Sequence, residues 1–117
     1  MDFDLNEEQE MLKRMARDFL SKECPKSLVR EMVKDERGYP PELWRKMVEL
    51  GWLGLIFPEG YGGLGGSFLD LTVLLEEMGR ACLPSPFFST VIQGGLFILN
   101  AGTEQQKQDL LTKVAEG

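Results

Sequence analysis

The sequence predicts an all-α fold, an orthogonal or up-down bundle of about six helices. Three observations carry this. Apolar residues recur at helical spacing through most of the 117 residues, polar capping signatures precede several of those runs, and Pro or Gly punctuates their ends. Only Leu53-Gly54-Leu55-Ile56-Phe57 reads as a short extended run.

In the first helix, Asn6 caps the exposed amides, Gln9 reaches back to complete a capping box and Leu5 serves as a staple. Leu12, Met15, Ala16, Phe19 and Leu20 form its apolar face, leaving Lys13, Arg14, Arg17 and Asp18 on the wet side. Pro25 then suits the first turn of a second helix carrying Leu28, Val29, Met32 and Val33. After the polar turn Asp35 to Pro40, Pro41 opens a third helix with Leu43, Trp44, Met47 and Val48, closed by Gly51. Trp44 and Trp52 read as core anchors, because no basic neighbours accompany them to make a base-stacking platform.

Ser67-Phe68-Leu69-Asp70 is a second capping box, opening a helix through Met78 that is apolar around most of its circumference and therefore central. Pro84 and Pro86 separate it from a fifth helix, Phe87 to Asn100, which is apolar on nearly every face. Gly94-Gly95 interrupts that helix at a cost of about 1 kcal/mol per Gly relative to Ala, so something approaches its backbone. Either a substrate or a packed helix would satisfy that requirement. Gly102 stops the run, Thr103-Glu104-Gln105-Gln106 forms a third capping box, and Leu110, Leu111 and Val114 mark a last helix ending at Gly117.

The formal charge of −6 argues against nucleic acid as a partner, since phosphate tracking needs clustered Lys and Arg. No apolar stretch approaches the ~20 residues of a membrane span, the first residues are acidic rather than signal-like, and the expected compartment is the cytoplasm. The two cysteines, Cys24 and Cys82, are expected as reduced, partly buried thiols. With no histidine, neither a zinc set nor a Ser-His or Cys-His nucleophile pair can form, so no metal site is expected. Glu76 and Glu77 are a tempting acid-base pair, yet adjacent helical residues point about 100° apart and cannot both face one substrate. They read as solvated or ion-paired carboxylates.

Gly60, Gly62 and Gly65 match the G-x-G-x-x-G of a dinucleotide fold letter by letter. The match lacks its context: there is no parallel sheet, and the segment about 20 residues on, Ala81 to Ser85, offers no acid for a ribose. These glycines are therefore expected to turn the chain between two helices, without binding a cofactor.

The order of Leu5-Asn6-Glu7-Glu8-Gln9, Pro41-Glu42-Leu43-Trp44, Leu50-Gly51-Trp52-Leu53-Gly54, Pro58 to Gly65, Glu76-Glu77-Met78-Gly79-Arg80 and Ala101 to Lys107 resembles the N-terminal helical domain of acyl-CoA dehydrogenases. The resemblance covers the whole chain, 1–117. It implies a flavoprotein that oxidises an acyl-CoA thioester to the 2,3-enoyl-CoA, with a carboxylate removing the α-proton and FAD taking the hydride. Electrons would pass to an electron-transfer flavoprotein, and the full-length protein would be a homo- or hetero-oligomer. In this family the base and most FAD contacts lie in a middle β-domain, a C-terminal helical domain and a neighbouring subunit, so no catalytic residue is expected in this chain. The first domain covers one side of the acyl pocket through its fifth helix, and matching from Ala101-Gly102-Thr103 implies substrate-facing positions at Ser85, Pro86, Ser89, Thr90 and Gln93. A stand-alone helical interaction module is the alternative.

Overall fold

The computed structural model describes residues 2–117. Six helical segments follow one another: α1 (Glu7–Glu23), α2 (Lys26–Met32), α3 (Pro41–Glu49), α4 (Phe68–Ala81), α5 (Phe88–Gly95 continuing as Leu96–Ala101) and α6 (Glu104–Gln106, Lys107–Leu111 and Thr112–Glu116). No strand occurs among the described residues. The molecule is a slab of 42 × 42 × 21 Å, so its short dimension holds two helices of ordinary diameter, about 10–12 Å each.

All three capping boxes form. Asn6 Oδ1 accepts from the Gln9 amide at 2.8 Å while Gln9 Oε1 accepts from the Asn6 amide at 3.1 Å. Ser67 with Asp70, and Thr103 with Gln106, repeat the arrangement at α4 and α6. Pro41 occupies the first turn of α3, and Gly51 ends it at φ 78°. α4 instead ends on Cys82 at φ 54°, a left-handed cap that glycine usually provides.

α1 and α4 lie side by side and parallel, fastened by three side chains in ascending order. Gln9 Nε2 donates to Asp70 Oδ1 at 3.1 Å, Arg17 forks onto Glu77 at 2.9 and 3.1 Å, and the Cys24 thiol reaches the Ala81 carbonyl at 3.9 Å. Ala16 and Leu20 of α1 and Leu71, Leu74 and Met78 of α4 are buried in the core, which Leu43 and Met47 of α3, Val91 of α5 and Leu111 of α6 complete. Trp52 is buried edge-on against Phe19 at 5.2 Å, and Trp44 packs against Tyr39 at 6.2 Å, as core anchors should.

Three sequence expectations are corrected. The run Leu53 to Phe57 is a 3₁₀ turn, Trp52–Gly54, followed by a further turn, because with no neighbouring strand its amides close locally: Leu55 donates to the Trp52 carbonyl and Phe57 to that of Gly54. Arg17 is not simply solvated; buried Glu77 draws it onto α4. Of the thiols, Cys24 is buried as expected and pushed up in pKa chiefly by that burial, whereas Cys82 is exposed at its left-handed cap.

Candidate functional site

α5 carries three of the five expected substrate-facing residues, Ser89, Thr90 and Gln93, while Ser85 and Pro86 lie in the bend that leads into it, and the geometry of α5 differs from a plain α-helix. Through Phe88–Gly95 the backbone is wound as a π-helix, with the Leu96 amide donating to the Val91 carbonyl five residues back. Wider winding brings residues four apart closer to alignment. Ser89 and Gln93 form one such row, and Thr90 and Gly94 the next.

The structure divides these positions among three environments. Ser85 lines a cleft of about 350 Å³ with Leu75, Met78, Leu83, Phe87 and Phe88. Pro86 and Thr90 line a second, of about 410 Å³, with Tyr39, Trp44, Ile98 and Leu110. Ser89 and Gln93 line neither and are exposed on the helix face between. Two hydroxyls are tied to the helix start: Ser85 Oγ accepts from the Phe87 amide at 3.2 Å, and Ser89 Oγ donates to the Pro86 carbonyl at 3.0 Å.

The glycine pair has two separate explanations. A Cβ on Gly95 would collide with the ring of fully buried Phe57, so this glycine admits an aromatic side chain. A Cβ on Gly94 would meet only its own helix, the Ser89 carbonyl at 3.4 Å. Toward the rest of the domain, Gly94 is open. Phe88 and Phe97 on the same helix are 56% and 71% exposed, so much of the apolar surface of α5 is uncovered. Sequence reasoning missed the π winding, although the mid-helix Gly-Gly was its one available signal.

Most amides of the glycine-rich loop, from Tyr61 to Gly66, are already spent on backbone carbonyls. Gly62 donates to Glu59, Gly63 to Pro58, Leu64 to Gly54, Gly65 to Phe57 and Gly66 to Leu55, at 2.7 to 3.1 Å. Gly62 and Gly65 adopt positive φ, while a Cβ on Gly63 would overlap the Phe57 carbonyl. Tyr61 ties the loop to α6 by donating to the Glu104 carboxylate at 2.7 Å, which pushes the phenol pKa up. The loop is a packing device and does not fit a dinucleotide cofactor. Glu77 is consumed by Arg17, Glu76 is exposed, and no metal-ligating cluster exists among the described residues. No described helix is long and apolar enough to cross a membrane.

A two-layer slab of six helical segments with an exposed fifth helix defines the class as an all-α domain. Comparison with known proteins gives the class its family. A sequence model described as acyl-CoA dehydrogenase, N-terminal domain, matches residues 6–117, and the chain belongs to the acyl-CoA dehydrogenase family. It is 38% identical to the probable acyl-CoA dehydrogenase YngJ of Bacillus subtilis, covering 100% of this chain and 31% of that protein. It is 30% identical to the subunit CarC of a caffeyl-CoA reductase-Etf complex from Acetobacterium woodii, covering 96% of this chain and 30% of that one. The solved ChsE4-ChsE5 complex from Mycobacterium tuberculosis superposes with a TM-score of 0.89 at 25% identity, over 99% of this chain and 32% of that chain. The chain thus spans about three tenths of the length of these relatives.

Proposed function

We propose that this chain is the first domain of an FAD-dependent acyl-CoA dehydrogenase that converts an acyl-CoA thioester to the 2,3-enoyl-CoA, and that it supplies one wall of the acyl pocket and assembly contacts. A middle β-domain and a C-terminal helical domain complete the protein, contributing the base and the FAD site. FAD, when bound there, accepts the hydride. The electrons then pass to an electron-transfer flavoprotein. The full-length protein is a homo- or hetero-oligomer; relatives named as an Etf-complex subunit and as a two-protein complex support both partner assignments. Two free thiols favour the cytoplasm.

One observation carries the reading: α5 is uncovered where Gly94 is open. Ser89, Thr90 and Gln93 lie on the same helix as that opening, and Ser85 and Pro86 in the bend just before it, all with short or unbranched side chains. Because the Ser89 hydroxyl donates back to its own helix, this position can contact an acyl chain without leaving its proton unpaired. Burying the acyl tail against this wall removes apolar surface from water, worth about 0.8 kcal/mol per methylene.

Gly94→Leu in the full-length enzyme is the test. Its side chain enters open space, so the domain keeps its fold. The expected result is a drop of about tenfold or more in kcat/KM for the bulkiest accepted thioester, with the smallest little changed. An unaltered preference across acyl groups in folded protein would reject the wall. Separately, this chain alone should bind no flavin. A stoichiometric flavin spectrum from the purified 117-residue chain would overturn the placement of FAD.

A further inference from the structure

We propose that the cleft between the C-terminal halves of α1 and α4 binds a phosphate monoester dianion, independently of the acyl wall on α5. The cleft measures about 300 Å³ and is lined by Arg17, Ser21, Lys26, Glu77 and Arg80, with Cys24 among its buried residues. Its lining holds three cations against one carboxylate, in a chain whose formal charge is −6. That leaves a surplus of two positive charges, the complement of a dianion.

The cations are arranged rather than merely present. Glu77, 2% exposed, holds Arg17 through Nε and Nη2 at 3.1 and 2.9 Å. A guanidinium has five donors in a rigid plane, so the fork fixes its orientation and leaves the Nη1 edge with no acceptor among the described residues. Lys26 is steadied by the Arg80 carbonyl at 3.2 Å, where its charge also offsets the negative end of α4. Among the described residues Arg80 has no carboxylate partner within salt-bridge distance, and Ser21 adds a hydroxyl. Glu76 and Asp18 act on Arg17 from outside the cleft and do not line it. The volume exceeds that of a phosphate group and leaves room for the first atoms of an ester.

Two sources share this chemistry: free phosphate and the phosphomonoester end of a nucleotide. The test is calorimetric titration of the full-length protein with inorganic phosphate and with 5′-AMP at constant ionic strength in chloride. Three proteins are compared, namely wild type, Lys26→Gln/Arg80→Gln, and a control Arg30→Gln/Lys34→Gln that removes the same charge from α2 and the turn after it. The expected result is saturable binding weakened about tenfold or more in the Lys26→Gln/Arg80→Gln protein and retained in the control, a difference of about 1.4 kcal/mol or more. Equal affinity for both probes identifies free phosphate, and tighter 5′-AMP identifies a nucleotide. Absence of a component sensitive to Lys26 and Arg80, or equal weakening in both double variants, overturns the proposal. Unchanged melting temperatures of the variants exclude loss of fold as the cause.

Discussion

Gln9 and Asp70 each close the capping box of a different helix, and each also bonds to the other at 3.1 Å, so the starts of α1 and α4 form one hydrogen-bonded unit. Asp70→Ala removes the carboxylate half of the α4 capping box, which accepts from the Ser67 amide, and leaves the Gln9 side-chain amide without its acceptor. The expected loss is about 1 to 2 kcal/mol by chemical denaturation.

The same carboxylate gives a pH dependence. The Ser67 amide holds Asp70 below its usual pKa, outweighing desolvation, with the Gln9 amide and the Ser67 hydroxyl adding to the effect. A lowered folded-state pKa contributes stability that is present above the unfolded value, near 4, and is lost as pH falls through the folded value. Asp70→Asn cannot titrate. Its deficit relative to wild type should therefore be largest near neutrality and shrink below about pH 4, and a deficit constant from pH 7 to 3 would contradict this account.

Glu77 depends on Arg17 for its burial. Removing the guanidinium with Arg17→Met strands a carboxylate that is 2% exposed, and a lower melting temperature is the expected result. Adding Glu77→Leu should recover much of that loss, since a well-packed apolar pair often replaces a buried ion pair without penalty. If the double variant melted no higher than Arg17→Met, the loss would have to come from the packing of the arginine stem.

The neighbouring glycines of α5 predict opposite signs. Gly94→Ala should stabilise by up to about 1 kcal/mol, because the methyl enters open space and helix propensity improves. Gly95→Ala drives its methyl into Phe57 and should destabilise by about 1 to 3 kcal/mol. Melting curves of the two variants compare the effects directly.

Cys82 is the one described non-glycine residue at positive φ. Cys82→Gly should raise stability by a few tenths to about 1 kcal/mol, as the relief of left-handed strain exceeds the added freedom of the unfolded chain. A lower melting temperature would show that the exposed thiol makes contacts outweighing the strain.

The helices and their starts were legible because caps act within four residues: Asn6 with Gln9, Ser67 with Asp70 and Thr103 with Gln106 all pair as their spacing predicts. The glycine loop was legible through its surroundings, since lack of a sheet argued against a nucleotide before its amides were accounted for. What escaped was set at a distance. Nothing near Arg17 in sequence announces Glu77, and nothing near Gly95 announces Phe57; both partners are defined only once the elements pack. Ser89, Thr90 and Gln93 share one helix and Ser85 and Pro86 the bend before it, but the division of Ser85 from Pro86 and Thr90 between two clefts depends on α3, α4 and α6.

The parallel seam also bears on how the domain assembles. Its three fastenings join residues 61, 60 and 57 positions apart, and loop-closure entropy must be overcome before any of them contributes. α1 is thus an element whose main partner, α4, leaves a ribosome dozens of residues after it. Until then α1 can meet only Trp52, through Phe19, and Lys46, through Glu23, so its full docking waits for α4. Pulse-labelling hydrogen exchange would register this order as protection of Ala16 and Leu20 lagging behind that of Met47.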